Sequence, residues 1–269
     1  MSKLDAWDGL LSGSRTDEAD VTLVMPDPNA TQKNRHSGGS KPLLGRADDG
    51  NRYWVKPLNN PQGPKVPVTE QIVGRIGLLI DAPVCEVRTI EIPDAIAQGN
   101  WKYAPNQPLE PGIAHASQNV GNANEQRGSL SHYNDDRNSQ RFPYFLALYD
   151  WCWGGDAQWL YVESDDNQYY SHDHGWYLPP KGATWTKDAI QDKKDEPHVL
   201  QCQEQNLESN AVEEVVGALQ DVDRNDILAT LSTIPTSWNV TDEGLEAVGY
   251  FLENRAPQVA DRLTQRFQL

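Results

Sequence analysis

Apolar and polar positions along this chain keep two different rhythms, one early and one late. Tyr53-Trp54-Val55-Lys56 and the stretch from Val84 to Ile92 read as strands, and Val21-Thr22-Leu23-Val24 as a short edge strand. Between them, Thr69 to Ile80 places Ile72, Val73, Ile76, Leu79 and Ile80 at helical spacing, and Asp81-Ala82-Pro83 ends that helix. Asp48-Asp49-Gly50-Asn51 is a turn, and Asn59 to Pro67, with three prolines and a glycine, reads as a loop. Residues 93 to about 140 are poor in apolar positions and rich in Asn, Gln, Gly and Ser, so they read as irregular and include a connection between two parts. Phe142 to Tyr149 then reads as a buried helix. The aromatic and β-branched residues of Trp153 to Val162 and of Gln168 to Gly175 flank the polar turn Ser164-Asp165-Asp166-Asn167, which is a hairpin pattern. The chain is polar from Pro180 to about Asn206. Helical patterns resume at 207–219, 225–231 and 242–267, with a break expected at Pro257. A strand-rich first half with one embedded helix, followed by a helical second half, predicts an α+β fold in two lobes, residues 1–110 and 111–269.

Charge narrows the partners. The 269 residues carry a formal net charge of −16. Nucleic-acid phosphates and an acidic membrane surface both need clustered Lys and Arg, so neither is expected as a direct partner. Any bound polyphosphate would need local positive charge or a divalent metal. Cys85, Cys152 and Cys202 are odd in number and far apart, with no CxxC and no disulfide framework, which suits a reducing cytoplasm. The start, Met1 to Asp5, has no basic segment leading into an apolar one, so no signal peptide is expected. The longest apolar run, Phe142 to Gly155, is too short to span a bilayer and is interrupted by Asp150.

The hairpin carries the chemistry. Asp156 sits just before its first strand, in a loop opened by Gly154 and Gly155, and Asp173 sits just after its second, before Gly175. A hairpin brings its ends together, so two carboxylates converge at one mouth. Protein kinases use two such positions for a catalytic and a metal-holding aspartate. Two solvated turn aspartates are the structural alternative. Phosphoryl transfer from ATP also asks for a glycine-rich loop to approach the phosphates, a strand lysine to meet them and a helix glutamate to orient that lysine. Ser37-Gly38-Gly39-Ser40-Lys41-Pro42 supplies the loop, Lys56 the strand lysine and Glu70 the helix glutamate. Taken singly, Lys56 also reads as a surface strand-end lysine, and Glu70 as an acidic residue suited to a helix N-terminus. On a strand, His172 and His174 would share a face, as a metal site would require, but no HExxH-type spacing accompanies them.

In this order the segments resemble the HipA-like kinase family. The carrying stretches are His36 to Leu43, Tyr53 to Pro57, Thr69 to Arg75 running into Asp81 to Val87, the Tyr149-Asp150-Trp151 approach to Asp156, and Asp173-His174-Gly175. The resemblance spans roughly residues 35 to 178. It implies a kinase-like bilobal fold, ATP with Mg²⁺, and phosphorylation of a serine or threonine hydroxyl on a protein or on the chain itself. Gly38, Gly39, Ser40 and Lys41 would cover the phosphates. Lys56, set by Glu70, would hold them. Asp173 would bind Mg²⁺ with Gln158 as a neutral oxygen partner, and Asp156 would serve the acceptor hydroxyl. Two departures stand out. The family's catalytic loop has a His two residues after the Asp and an Asn a few residues later, whereas Ala157-Gln158-Trp159-Leu160-Tyr161 follows Asp156 here. Leu43 stands where a second basic residue is common in the loop. These departures motivate a pseudokinase as the alternative, binding nucleotide or a protein partner without chemistry. A small-molecule phosphotransferase on the same fold is a third reading.

Overall fold

The structure is a computed structural model that describes residues 6–27, 39–99, 101–104, 107–180 and 185–269. Its strand-rich half runs β1 (Val21–Pro26), β2 (Leu43–Ala47), β3 (Arg52–Lys56), α1 (Lys65–Leu78), β4 (Val87–Ile92), the single-turn α2 (Asp94–Ala97), the short pair β5 (Lys102–Ala104) and β6 (Gln107–Pro108), and β7 (Gly112–Gln118). Five of these strands close a barrel in the order β1-β2-β3-β7-β4, sealed by parallel pairing of Val21 with Ile90. Strand alternation sorts the side chains. Tyr53 and Val55 of β3, and Ala114 and Ala116 of β7, fill the barrel with Leu23, Leu43 and Ile90. Lys56 and His115, paired across the β3–β7 ladder, point the other way. Helix α1 lies on that outer face. It comes close because Gly74 and Gly77 lack side chains: a Cβ at Gly74 would fall 2.6 Å from Val87 Cγ1, and one at Gly77 2.8 Å from Val84 Cγ1.

Two expectations change here. Helix α1 starts at Lys65, inside the stretch read as a loop to Pro67. Proline is tolerated there because the first N–H groups of a helix have no intrahelical partner to lose. The region read as irregular contains β7, a central barrel strand. Its interior positions are alanines, so its burial leaves no strong apolar signature. Strand β8 (Asn124–Arg127) lies in the same region and is wholly polar. It adds a third strand beside the expected hairpin of β9 (Gln158–Val162) and β10 (Gln168–Ser171), in the order β10-β9-β8.

The helical half consists of α3 (Asn138–Trp151), which precedes the hairpin, and α4 (Lys187–Lys193), α5 (Ser209–Asp221), α6 (Arg224–Ser232) and α7 (Asp242–Phe267), which follow it. Phe142, Phe145, Trp151, Trp159, Trp185, Trp238 and Phe251 anchor its core. Pro143 lies inside α3 and cannot donate to Ser139 O; that carbonyl accepts instead from Glu208 N at 3.2 Å. Pro257 does not break α7, which stays helical while burying Ala256, Val259, Ala260 and Leu263 around it. Helix α4 falls in the stretch read as polar; only Ile190 is buried, and the Thr186 side chain caps it by accepting from Ala189 N. The residues before β1 turn back onto this half: Trp7 packs against Gly249 of α7, and Arg15 donates to the carbonyls of Ile234 and Pro235. Among the described residues no helix is long and apolar enough to cross a membrane.

Candidate active site

Lys56 ends β3 on the outer face of the barrel, and Glu70 projects from the second turn of α1 beneath it. Their side chains form a buried ion pair, and Lys56 Nζ also lies 2.6 Å from Asp173 Oδ1. Asp173 follows β10 in the left-handed region at φ 55° and ψ 53°, which an aspartate tolerates better than most residues. Gly175 completes the turn because nothing larger fits: a Cβ there would lie 2.7 Å from Val66 Cγ1 and 3.1 Å from Glu70 Oε1.

One ammonium thus serves two carboxylates out of water. Burial works against the Lys56 charge, but Asp173 and Glu70 outweigh it and hold its pKa above the ordinary value. Burial also works against ionised Asp173, and Lys56 again outweighs it, keeping that carboxyl well below the usual range. Glu70 goes the other way. Its burial, only partly offset by Lys56 and reinforced by Asp173, lifts it to about 8. Beneath the cluster, His115 Nε2 lies 3.5 Å from Glu70 Oε2. The Gln71 amide is best turned so that its nitrogen donates to His115 Nδ1 at 2.8 Å and its oxygen accepts from Arg75 Nε at 2.8 Å. That places the imidazole proton on Nε2, facing Glu70. Burial, and the Lys56 charge after it, depress His115 well below 6.5. His174 bonds Ser171 Oγ through Nε2 at 2.8 Å inside the turn after Asp173, and burial lowers it to about 3.

Asp156 stands at the other end of the hairpin. The two glycines before it are sterically required. A Cβ at Gly155 would fall 1.8 Å from Trp176 O, and one at Gly154 would meet the Tyr149 ring at 2.2 Å. Gln158 opens β9 and donates its side-chain N–H to Asp156 Oδ2. The Gln158 carbonyl oxygen, Oε1, is buried and has no hydrogen-bond partner among the described residues. Such an oxygen is costly unless something binds it.

Two adjoining cavities meet at Asp173. The wider, of about 250 Å³, is lined by Gly39, Gln62, Arg127, Gly155, Asp156, Gln158, Asp173 and Trp176. The narrower, of about 20 Å³, is lined by Lys56, Glu70 and Asp173 together with Trp54, Leu160 and His172. It has room for about one water. The hairpin therefore brings Asp156 and Asp173 to one mouth with Gln158, and Gly39 of the predicted loop reaches it. Ser40 is buried just behind, where Asn60 Nδ2 reaches its carbonyl at 3.4 Å. Lys41 is half-buried at φ 45° and lines neither cavity. Gly38 lies outside the described residues.

A family model for HipA-like kinases matches residues 30–266. The chain belongs to the HipA-like kinase family. Among solved structures it is similar to the Helicobacter pylori proinflammatory kinase CtkA, with 12% identity over 92% of this chain and 97% of that one and a TM-score of 0.56. At that identity the likeness speaks for the fold. No curated protein matches the chain significantly. Family membership supports a kinase-type function.

Sequence reasoning missed Arg127, Trp54 and His115 as parts of this site. Arg127 and His115 lie in the stretch without apolar rhythm, and only ladder pairing carries them to the cluster. Trp54 had a readable signal, since strand alternation puts it on the same face as Lys56.

Proposed function

We propose that this chain is an ATP- and Mg²⁺-dependent serine/threonine kinase that phosphorylates a protein hydroxyl or itself. The observation that carries this reading is the Lys56 bridge between Glu70 and Asp173, opening onto the cavity that holds Asp156. In this reading the barrel with α1 is one lobe and the helices with the hairpin are the other, and nucleotide binds between them. Lys56 meets the phosphates as a compact charge, and Glu70 keeps it from swinging away. Gly38, Gly39, Ser40 and Lys41 cover the phosphates with backbone N–H groups. Asp156 orients the acceptor hydroxyl and takes its proton as the oxygen attacks the γ-phosphorus, while the bond to the β-phosphate oxygen breaks and ADP leaves.

Asp173 and Gln158 would hold the magnesium ion. The fit is supported by the buried, unpartnered Gln158 Oε1 and by an ionised Asp173, since Mg²⁺ is commonly bound through one or two carboxylates plus waters and substrate phosphates. When bound, that ion neutralises charge on the phosphates. No cluster of three His, Cys, Asp or Glu side chains stands ready for a metal among the described residues, so phosphate and water complete the shell in this reading. The chain's net charge of −16 and its three free cysteines support a cytoplasmic protein that binds neither nucleic acid nor membrane directly.

A pseudokinase is the second reading, favoured by the narrow cavity beside Lys56 and by the absence of an Asn after Asp156. The two separate in one experiment. Purified protein is incubated with labelled ATP and Mg²⁺ and analysed by mass, beside Asp156→Ala and Asp173→Ala. Phosphate on the wild type and on neither variant is expected. Phosphate on both variants would remove the assigned roles, and nucleotide binding without any phosphorylated product would favour the pseudokinase.

A further inference from the structure

The wider cavity has a charge problem. Two carboxylates, Asp156 and Asp173, face the space where a terminal phosphate must sit, and the Lys56 ammonium is committed to Glu70 and Asp173. The position two residues after Asp156 holds neutral Gln158, whose N–H groups face Asp156 rather than a ligand. Lys56 and a magnesium ion at Asp173 are both shared with carboxylates, so a terminal phosphate entering here gains from a further cation. Among the described residues lining the cavity, Arg127 is the one that carries positive charge.

Its placement is set by the sheet rather than by a loop. Arg127 ends β8, paired directly across the ladder from Gln158, and Gly128 N extends that ladder by donating to Ala157 O at 2.9 Å. Cross-strand partners share a face, so the guanidinium is delivered to the side where Gln158 meets Asp156. Glu125 accepts from Arg127 Nε and fixes the planar group from behind. The two terminal nitrogens have no hydrogen-bond partner among the described residues. A guanidinium anchored through Nε, with its outer N–H fork open beside two carboxylates, suits a phosphate oxygen pair. We infer that Arg127 binds the terminal phosphate of the nucleotide and supplies the positive charge that Gln158 lacks. This rests on the kinase reading above and assigns to that site a residue from a strand outside its loops.

The test is equilibrium binding by calorimetry with Mg²⁺ present, using ADP and the β,γ-imido analogue of ATP, on the full chain and on Arg127→Gln and Arg127→Lys. Thermal unfolding runs alongside; Arg127 is half exposed, so its midpoint should hold. The wild type should prefer the triphosphate. Arg127→Gln should lose that preference by roughly 10- to 100-fold, the range of a charge-assisted hydrogen bond, with ADP affinity unchanged. Arg127→Lys should keep part of it. A wild-type ratio in Arg127→Gln, or equal binding of both nucleotides by the wild type, would overturn the inference while leaving the kinase reading in place. Equal losses for both nucleotides with a lowered midpoint would make Arg127 a structural residue. Wild type that binds neither nucleotide would remove the reading and the inference together.

Discussion

His115 and His174 are sealed around the Lys56 cluster, and their protons connect the site to pH. Both are buried, and both have pKa values depressed below 6.5, His174 to about 3. A histidine kept neutral in the fold but free to protonate when unfolded makes the unfolded state the better proton binder below pH 6.5. Its stabilisation is complete above that pH and is lost on acidification, at about 1.4 kcal/mol per pH unit for each histidine. Glu70 opposes them. Burial raises its pKa, so on acidification the folded state takes up this proton before the unfolded state does. Below pH 6.5 the two histidines favour proton binding by the unfolded state, and Glu70 favours it in the folded state. With two histidines against one glutamate, stability should fall as the pH drops from 6 to 5. His174→Gln cancels that balance and should flatten the slope. Urea denaturation of both proteins at the two pH values measures it; an equally steep slope in the variant would mean that His174 is not held neutral. At this scale Lys56, Glu70, Asp156 and Asp173 were legible because each sits in a local pattern of strand, helix or turn. Arg127 and His115 were not, because their significance comes from ladder partners distant in sequence.

Among the elements, α7 grips the end of α3 and with it the approach to Asp156. Arg255 of α7 is fully buried and donates to the carbonyls of Asp150, Trp151, Lys193 and Glu196, while also pairing with the Asp150 carboxylate. Arg262, a further turn or two along α7, meets the same carboxylate at 2.8 Å. The third Asp150 contact is His198 N at 3.1 Å. His198 stacks between Tyr149 and Trp153 and donates through Nε2 to Gly154 O at 2.6 Å, in the loop that leads to Asp156. Removing Arg255 strands several buried carbonyls and takes away one of the two arginines on the Asp150 carboxylate, a loss of about 3–5 kcal/mol. Arg255→Met should therefore lose that much by urea denaturation, and Arg262→Met, at the partly exposed rim, clearly less. Equal small losses in both would show that the clasp is not a buried network. Helices α1, α3, α5, α6 and α7 were legible as helices, α5 by its apolar period and α3 by its run of apolar residues. Their ends and prolines were less so, because Pro143 and Pro257 are accommodated by tertiary contacts and burial that no local rule contains. Strands β7 and β8 were hidden for the converse reason: alanine and polar side chains suffice where the neighbours supply the apolar surface.

For the molecule as a whole, the order of a strand-rich half followed by a helical half was legible, but the way the halves are joined was not. Tryptophan indoles do much of the joining. Trp185 Nε1 donates to Thr69 Oγ1 of α1 at 3.0 Å, and Trp238 Nε1 donates to Ile113 O of β7 at 2.9 Å. Trp7 makes the longest such connection in sequence. Its ring lies on Gly249, where an added Cβ would come within 2.3 Å, and its Nε1 donates to Glu253 Oε2 at 2.6 Å. Among the described residues, the segment before β1 therefore lies on α7 at Trp7, crosses at Arg15 and only then enters the barrel. Truncating the fully buried Trp7 leaves an indole-sized cavity, a change that costs about 3–5 kcal/mol. Trp7 lies outside both cavities around Asp173. Trp7→Ala should thus lower the unfolding midpoint while leaving nucleotide affinity of the folded protein unchanged. Because the indoles tie barrel to helices, far-ultraviolet circular dichroism and tryptophan fluorescence should still report one coincident transition. Two separated transitions in the variant would show that the N-terminal segment, rather than the Trp185 and Trp238 contacts, holds the halves together. A midpoint unmoved by the loss of the indole would mean that Trp7 does not rest on α7 in solution.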